Sequence, residues 1–134
     1  MFNAKVYKIS VVSLSGILDE TYVAKEVIRQ WNQAKASHEG KLFMPTEDPK
    51  AADALVGVLG NRVENAELID EGLRAGKQVM LLFNAYADPK NTITSEQTGV
   101  TDYLNQMQKR CFCATFNGVS ELNEILGEQL DKIQ

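Results

Sequence analysis

Ala54-Leu55-Val56-Gly57-Val58-Leu59 is an unbroken apolar run that ends at Gly60-Asn61-Arg62, and its reading decides the fold. Six residues suit a strand and are too few for a buried helix. The run shows no alternation between apolar and polar positions. A strand of this kind is covered on both faces, as strands of parallel sheets are. A helix is expected next, over about Arg62–Ala75, with Ala66, Ile69 and Leu73 inward and Gly76 as its stop. Lys77–Phe83 is a second apolar strand. Strand, helix, strand in this order and at this length is one parallel crossover unit.

The same alternation extends outward in both directions. Lys5–Ser13, with Val6, Ile9, Val11 and Val12, reads as a first buried strand. From about Leu18 to Ala36 the apolar residues Val23, Val27, Ile28, Trp31 and Ala34 recur at helical spacing. Asp19 and Glu20 complement the dipole in that helix's first turn. Lys41–Met44 is a short strand stopped by Pro45. Beyond the fourth strand, Asn84–Ser95 reads as a long loop and Glu96–Lys109 as a helix with Val100, Leu104 and Met107 inward. Phe112–Phe116 is a fifth strand, and Ser120 is the expected N-cap of a last helix burying Leu122, Ile125, Leu126 and Ile133. The 134 residues fit one domain spanning 1–134. The expected fold is α/β: a three-layer, flavodoxin-like parallel sheet of five strands, order 2-1-3-4-5, with helices on both faces.

Composition excludes several classes of function. The chain carries 14 Lys+Arg against 18 Asp+Glu, a net charge of -4, and only Lys109-Arg110 sets two basic residues side by side. Nucleic acid is therefore not an expected partner. No apolar run approaches the ~20 residues of a spanning helix, and no leader-like segment opens the chain, so no membrane partner and a cytoplasmic protein are expected. His38 is the single histidine, which leaves neither a zinc site nor a Ser-His-Asp triad to be expected. Cys111 and Cys113 share one face of a strand, where a disulfide fits poorly, and they read as small core residues. No cofactor is expected. The dinucleotide fingerprint and the P-loop are absent, and Ser13 and Gly60-Asn61 stand where a phosphorylated receiver domain needs carboxylates. A flavin site finds no convincing aromatic in the loop after the third strand.

In an open parallel sheet ligands bind beyond the carboxyl ends of the strands, where strand order reverses. Here that place lies between the first and third strands. Ser13–Gly16, Pro45–Glu47, Gly60–Glu67 and Asn84–Tyr86 surround it. Gly60-Asn61-Arg62 opens a helix on which Glu64, Glu67 and Glu71 fall on one side. Helix N–H groups and Arg62 suit a phosphate, and a carboxylate one turn further suits a ribose. An acidic side chain there can stabilise or attack the oxocarbenium-like centre of an N-glycosidic bond. The same residues equally describe an acidic solvated helix face.

Ser13-Leu14-Ser15, Asp19-Glu20, Glu26-Val27-Ile28 and Trp31-Asn32 together resemble the opening of a TIR-like domain family of unknown function found beside STAND-type NTPase modules in bacteria. The resemblance continues through Leu55-Val56-Gly57-Val58, Arg62, and Glu67 to the stretch Ala75–Leu81, and ends at Ser120-Glu121-Leu122. That family is similar in fold to TIR domains and nucleoside deoxyribosyltransferases. The resemblance implies a nucleotide-like substrate, NAD or a nucleoside, cut or exchanged at a helix-borne glutamate. It makes Glu67 the catalytic residue and gives substrate contacts to Ser13 and Ser15 from the first loop and to Arg62 from the third; Asn61 and Glu64, beside Arg62 in the loop after the third strand, are the further substrate contacts expected. It also implies assembly, a homodimer included. The chain departs from the family pattern at Gly16, at Thr21 and at Asn65-Ala66. Two readings follow: an N-glycosidic hydrolase or transferase, and a non-catalytic module that senses a nucleotide or binds a protein through Phe2, Tyr86 or the Asn84–Ser95 loop.

Overall fold

The computed structural model describes residues 5–14, 19–59, 64–84, 102–116 and 118–133. They form β1 (Lys5–Ser13), α1 (Asp19–Glu39), β2 (Lys41–Pro45), a single 3-10 turn (Pro49–Ala51), β3 (Ala54–Leu59), α2 (Ala66–Arg74) and β4 (Gln78–Asn84). The chain continues with α3 (residues 102–107), β5 (Phe112–Phe116) and α4 (Val119–Lys132). The sheet is parallel throughout and ordered β2-β1-β3-β4-β5. This is the three-layer α/β fold expected from the strand patterns.

Period-two alternation sorts the strand residues between two cores. Tyr7 and Ile9 of β1, Ala54, Val56 and Val58 of β3, and Met80 and Leu82 of β4 face α1 and α4. Val12, Leu55, Leu59, Val79 and Leu81 face the other way, with Ile69 of α2 and Met107 of α3. All six residues of β3 are buried, as its apolar run required. Gly57 sits at the tightest point of the second core. A Cβ built there would lie 2.6 Å from a Leu81 methyl and 2.9 Å from a Leu14 methyl. Gly57→Val is expected to cost about 1–3 kcal/mol through overpacking, read as a lower midpoint in urea unfolding.

Asn32 of α1 closes part of the β2 edge. Its side-chain amide donates to the Phe43 carbonyl at 2.7 Å and accepts from the Phe43 N–H at 2.9 Å. Those groups would otherwise be open to another strand. Lys41 is buried, and its ammonium donates to the carbonyls of Asp131 and Ile133 at 2.7 and 2.6 Å, satisfying the end of α4.

Four expectations need correction. Val6, expected in a buried first strand, is 47% exposed near the start of β1, beside the edge strand β2. The helix placed over Arg62–Ala75 begins only at Ala66, because Asn65 adopts a left-handed backbone at φ 58. Ser120 does not cap the last helix. Gly118, at φ 87, takes that position and Ser120 lies exposed within α4. Ala34 points outward rather than into the core. Of the expected Glu96–Lys109 helix, residues 102–107 are helical and 108–110 form a turn. The Asn84–Ser95 loop and Val100 fall outside the described residues, apart from the backbone of Asn84. Among the described residues no helix is long and apolar enough to cross a membrane.

Candidate functional site

Strand order reverses between β1 and β3, because α1 leaves β1 over one face and α2 leaves β3 over the other. Their carboxyl ends are in register, with Ser13 beside Val58. The pairing runs one residue past β1, where the Leu14 N–H donates to the Val58 carbonyl at 2.9 Å. Returning toward α2, the chain folds against this end. The Glu64 N–H donates to the Leu14 carbonyl, and the Asn65 amide donates to the Ser13 carbonyl at 3.3 Å. Asn65 pairs with the neighbouring strand instead of capping α2. The left-handed turn at Asn65 makes both bonds from adjacent residues (a conformation Asn tolerates better than most).

Of the expected site residues, the bonds above set the segment from Glu64 against the end of β1 at Ser13, and Glu67 follows three residues later in α2. Ser13 is half-buried at the end of β1. Glu64 is exposed and lies in the coil before α2, so it does not share a helix face with Glu67 and Glu71. Glu67 is exposed in the first turn of α2. Ser15, Asn61 and Arg62 lie outside the described residues. Leu14 is fully buried in the second core, close to Gly57.

The sequence reasoning gave no structural role to four residues at this end of the sheet. Asn65 ties the segment before α2 to the end of β1, and Leu14 is buried in the second core. Tyr22, in the first turns of α1, is 67% exposed and carries the Lys25 ammonium 5.7 Å from its ring centre. Thr21 is buried. Only its position one residue from Tyr22, on the inward stripe with Ala24 and Ile28, hinted at this. Lys25 also pairs with Glu47 at 3.5 Å, tying α1 to the segment after β2.

Three cavities lined by described residues lie elsewhere. A groove of about 380 Å³ runs between α1 and α4, bordered by Trp31, Lys35, Gly127 and Asp131. Another of about 290 Å³ separates the 3-10 turn from α2, with Pro49, Leu68 and Glu71 on its walls. A third, about 270 Å³, opens at the amino ends of β4 and β5 beside Arg110 and Cys111. Among the described residues no three His, Cys, Asp or Glu side chains gather as a metal site would need.

Burial pushes the Cys111 thiol up to about 12, and the neighbouring Cys113 adds to the shift. Burial also raises Tyr103 to about 12, with Asp70 contributing. A thiol held protonated is a poor nucleophile. Alkylation of the folded protein by iodoacetamide at pH 8 is therefore expected to be at least about tenfold slower than after unfolding. Because the folded protein holds these protons more tightly, their contribution to stability is present at neutral pH. It is lost as pH rises from the ordinary thiol range toward 12, so the unfolding midpoint should fall on that side.

No protein-family model and no curated protein matches the chain. Among solved structures it is similar to a de novo designed Rossmann 2x3 fold protein determined by solution NMR. That likeness has a TM-score of 0.55 at 11% sequence identity and covers 94% of this chain and 90% of the designed one. A likeness at this identity shows the fold alone, a Rossmann-like α/β architecture.

Proposed function

We propose that the protein binds a nucleotide-type ligand, NAD or a nucleoside, at the carboxyl ends of β1 and β3, and that Glu67 acts on its N-glycosidic bond. The chain is then a TIR-like, nucleoside deoxyribosyltransferase-like module that works as a homodimer in the cytoplasm. One observation carries the reading. Glu67 opens α2 next to the point where strand order reverses, and Glu64 and Asn65 anchor that turn directly on the end of β1. The ligand would lie between α1 and α2, its base toward exposed Tyr22 and its sugar toward Glu67. Ser15, Asn61 and Arg62 complete the proposed contacts from the two loops. In the reaction, the carboxylate stabilises the cation formed as the base departs or takes the anomeric carbon covalently. Water or a second base then completes the exchange.

The exposure of Glu67 also supports a second reading, a nucleotide-sensing or protein-binding module without turnover. A catalytic carboxylate gains most where water is excluded. Incubating the purified protein with NAD and with deoxynucleosides, then measuring free base by chromatography, separates the two. Release of base supports the enzyme. Saturable binding without release supports the sensor. No binding of either ligand contradicts both nucleotide readings.

A further inference from the structure

We infer that Cys111 and Cys113 form a two-thiolate site for a soft monovalent cation, Cu(I), with the Tyr103 hydroxyl as its outer donor. The inference is independent of the nucleotide reading. Cys111 directly precedes β5 and Cys113 lies within it, and both side chains pack on the second core. Both thiols are free. The Cys113 sulfur lies 3.8 Å from the Cys111 carbonyl oxygen, and the two thiols are within hydrogen-bonding reach of each other.

Their spacing suits a metal bridge better than a sulfur–sulfur bond. Phe112 between them has strand geometry, so the two Cα atoms lie about 6.7 Å apart with their Cβ atoms on one side. A disulfide needs Cβ atoms about 3.5–4.5 Å apart. Two metal–sulfur bonds of about 2.3 Å hold the sulfurs about 4.6 Å apart instead of about 2 Å. The number of donors selects the metal. Among the described residues no third His, Cys, Asp or Glu joins the pair. Structural zinc takes four ligands, whereas Cu(I) is soft, favours thiolates and accepts two in line. Binding turns one Cu(I) and two thiols into a bis-thiolate complex with one net negative charge, and both protons pass to water.

The surroundings are arranged to receive that charge. Arg110 precedes Cys111, and its guanidinium favours the thiolate there. Asp70 of α2 holds the guanidinium at 2.8 Å. The Tyr103 hydroxyl of α3 is buried with no hydrogen-bond partner, near enough to both sulfurs for their charges to interact. Folded proteins keep few such orphaned donors. A protonated thiol is a weak acceptor, and a metal-bound thiolate is a strong one, so the hydroxyl gains its partner when the metal binds. Cys111 also lines the cavity of about 270 Å³ at the amino ends of β4 and β5, which gives the ion a route from solvent.

The test is anaerobic titration of the reduced protein with Cu(I) in competition with bicinchoninate, followed by copper X-ray absorption. One Cu(I) per chain with two sulfur neighbours is expected. Cys111→Ser and Cys113→Ser should each weaken binding by more than about 100-fold, the most that an outer partner is worth. Tyr103→Phe should weaken it about tenfold without lowering the urea midpoint of the metal-free protein. Circular dichroism checks the fold of each variant, and Cys111→Ala and Cys113→Ala repeat the test without a new hydroxyl. Affinity within about threefold of wild type in either cysteine position overturns the site. So does copper held between two chains, seen as a dimer on sizing, or ready oxidation of the pair by diamide to an intrachain disulfide. Unchanged affinity in Tyr103→Phe overturns the outer donor.

Discussion

Glu67→Gln is expected to lower release of free base from NAD or a deoxynucleoside by at least about 100-fold, with the fold unchanged. Glutamine keeps the size and hydrogen-bonding reach of the side chain but can neither hold a negative charge opposite an oxocarbenium-like centre nor attack it. The loss should fall on kcat, because the charge matters most as the bond breaks. Glu67 is exposed, so little packing is disturbed. Its favourable place in the first turn of α2 contributes only about 0.3–1 kcal/mol to stability. Circular dichroism and the urea midpoint should therefore barely move. A variant that keeps its rate within about threefold would remove Glu67 from the chemistry. Glu71→Gln is the matched control, since it removes an exposed charge from the same helix at a residue given no contact with the ligand.

The largest expected loss of stability belongs to Trp31→Ala. Trp31 is 5% exposed and packs edge-on against Phe43, with ring centres 4.9 Å apart. Its indole N–H donates to Asp131 at 2.9 Å, and the Lys41 ammonium lies 5.6 Å from its ring centre. One side chain thus links α1, β2 and α4. Truncation leaves a cavity, which for tryptophan costs about 3–5 kcal/mol. Trp31→Phe should cost less than half as much, because it keeps most of the packing and loses the bond to Asp131. Urea unfolding of the pair measures both. A loss below about 1 kcal/mol for alanine would mean that this junction does not hold α4 to the sheet.

The same junction has a pH signature. The Trp31 indole N–H holds the Asp131 carboxyl below its ordinary range, burial opposes that shift, and Lys35 reinforces it at 3.0 Å. A carboxylate whose folded value is depressed stabilises the protein above the ordinary carboxylate range. That contribution disappears as acid protonates it. Because Asp131 is largely open to solvent, the effect adds to the Trp31 packing without replacing it.

The sheet was legible because its strands are short, apolar and separated by helical periodicity. β3 shows this best: its six apolar residues are buried on both sides, and β5 has the limits its sequence suggested. Legibility failed where a single backbone angle or a distant partner decides the outcome. Asn65 gave no local sign that it would take a left-handed turn and delay α2, since its side chain answers to Ser13, far away in sequence. Lys41 opens β2 with no local sign that its stem is buried and that its ammonium closes a helix formed some 90 residues later. Gly57 passed as an ordinary strand glycine, although Leu14 and Leu81 leave it no room for a side chain.

The candidate site was legible in its location more than in its groups. Reversal of strand order follows from topology, so Ser13, Glu64 and Glu67 arrive at one end of the sheet as soon as the order is known. Thr21 was hidden because threonine at helical spacing gives no hydrophobic signal, yet it is buried with its hydroxyl unpaired.

Titration of isotope-labelled protein with adenosine, followed by amide chemical shifts, tests the location of the site most directly. Shifts concentrated at Ser13, Leu14, Val58, Glu64 and Glu67 are the expected result. Shifts confined to Gln30, Asn123 and Glu128 in the groove between α1 and α4, or to the amino ends of β4 and β5, would contradict it.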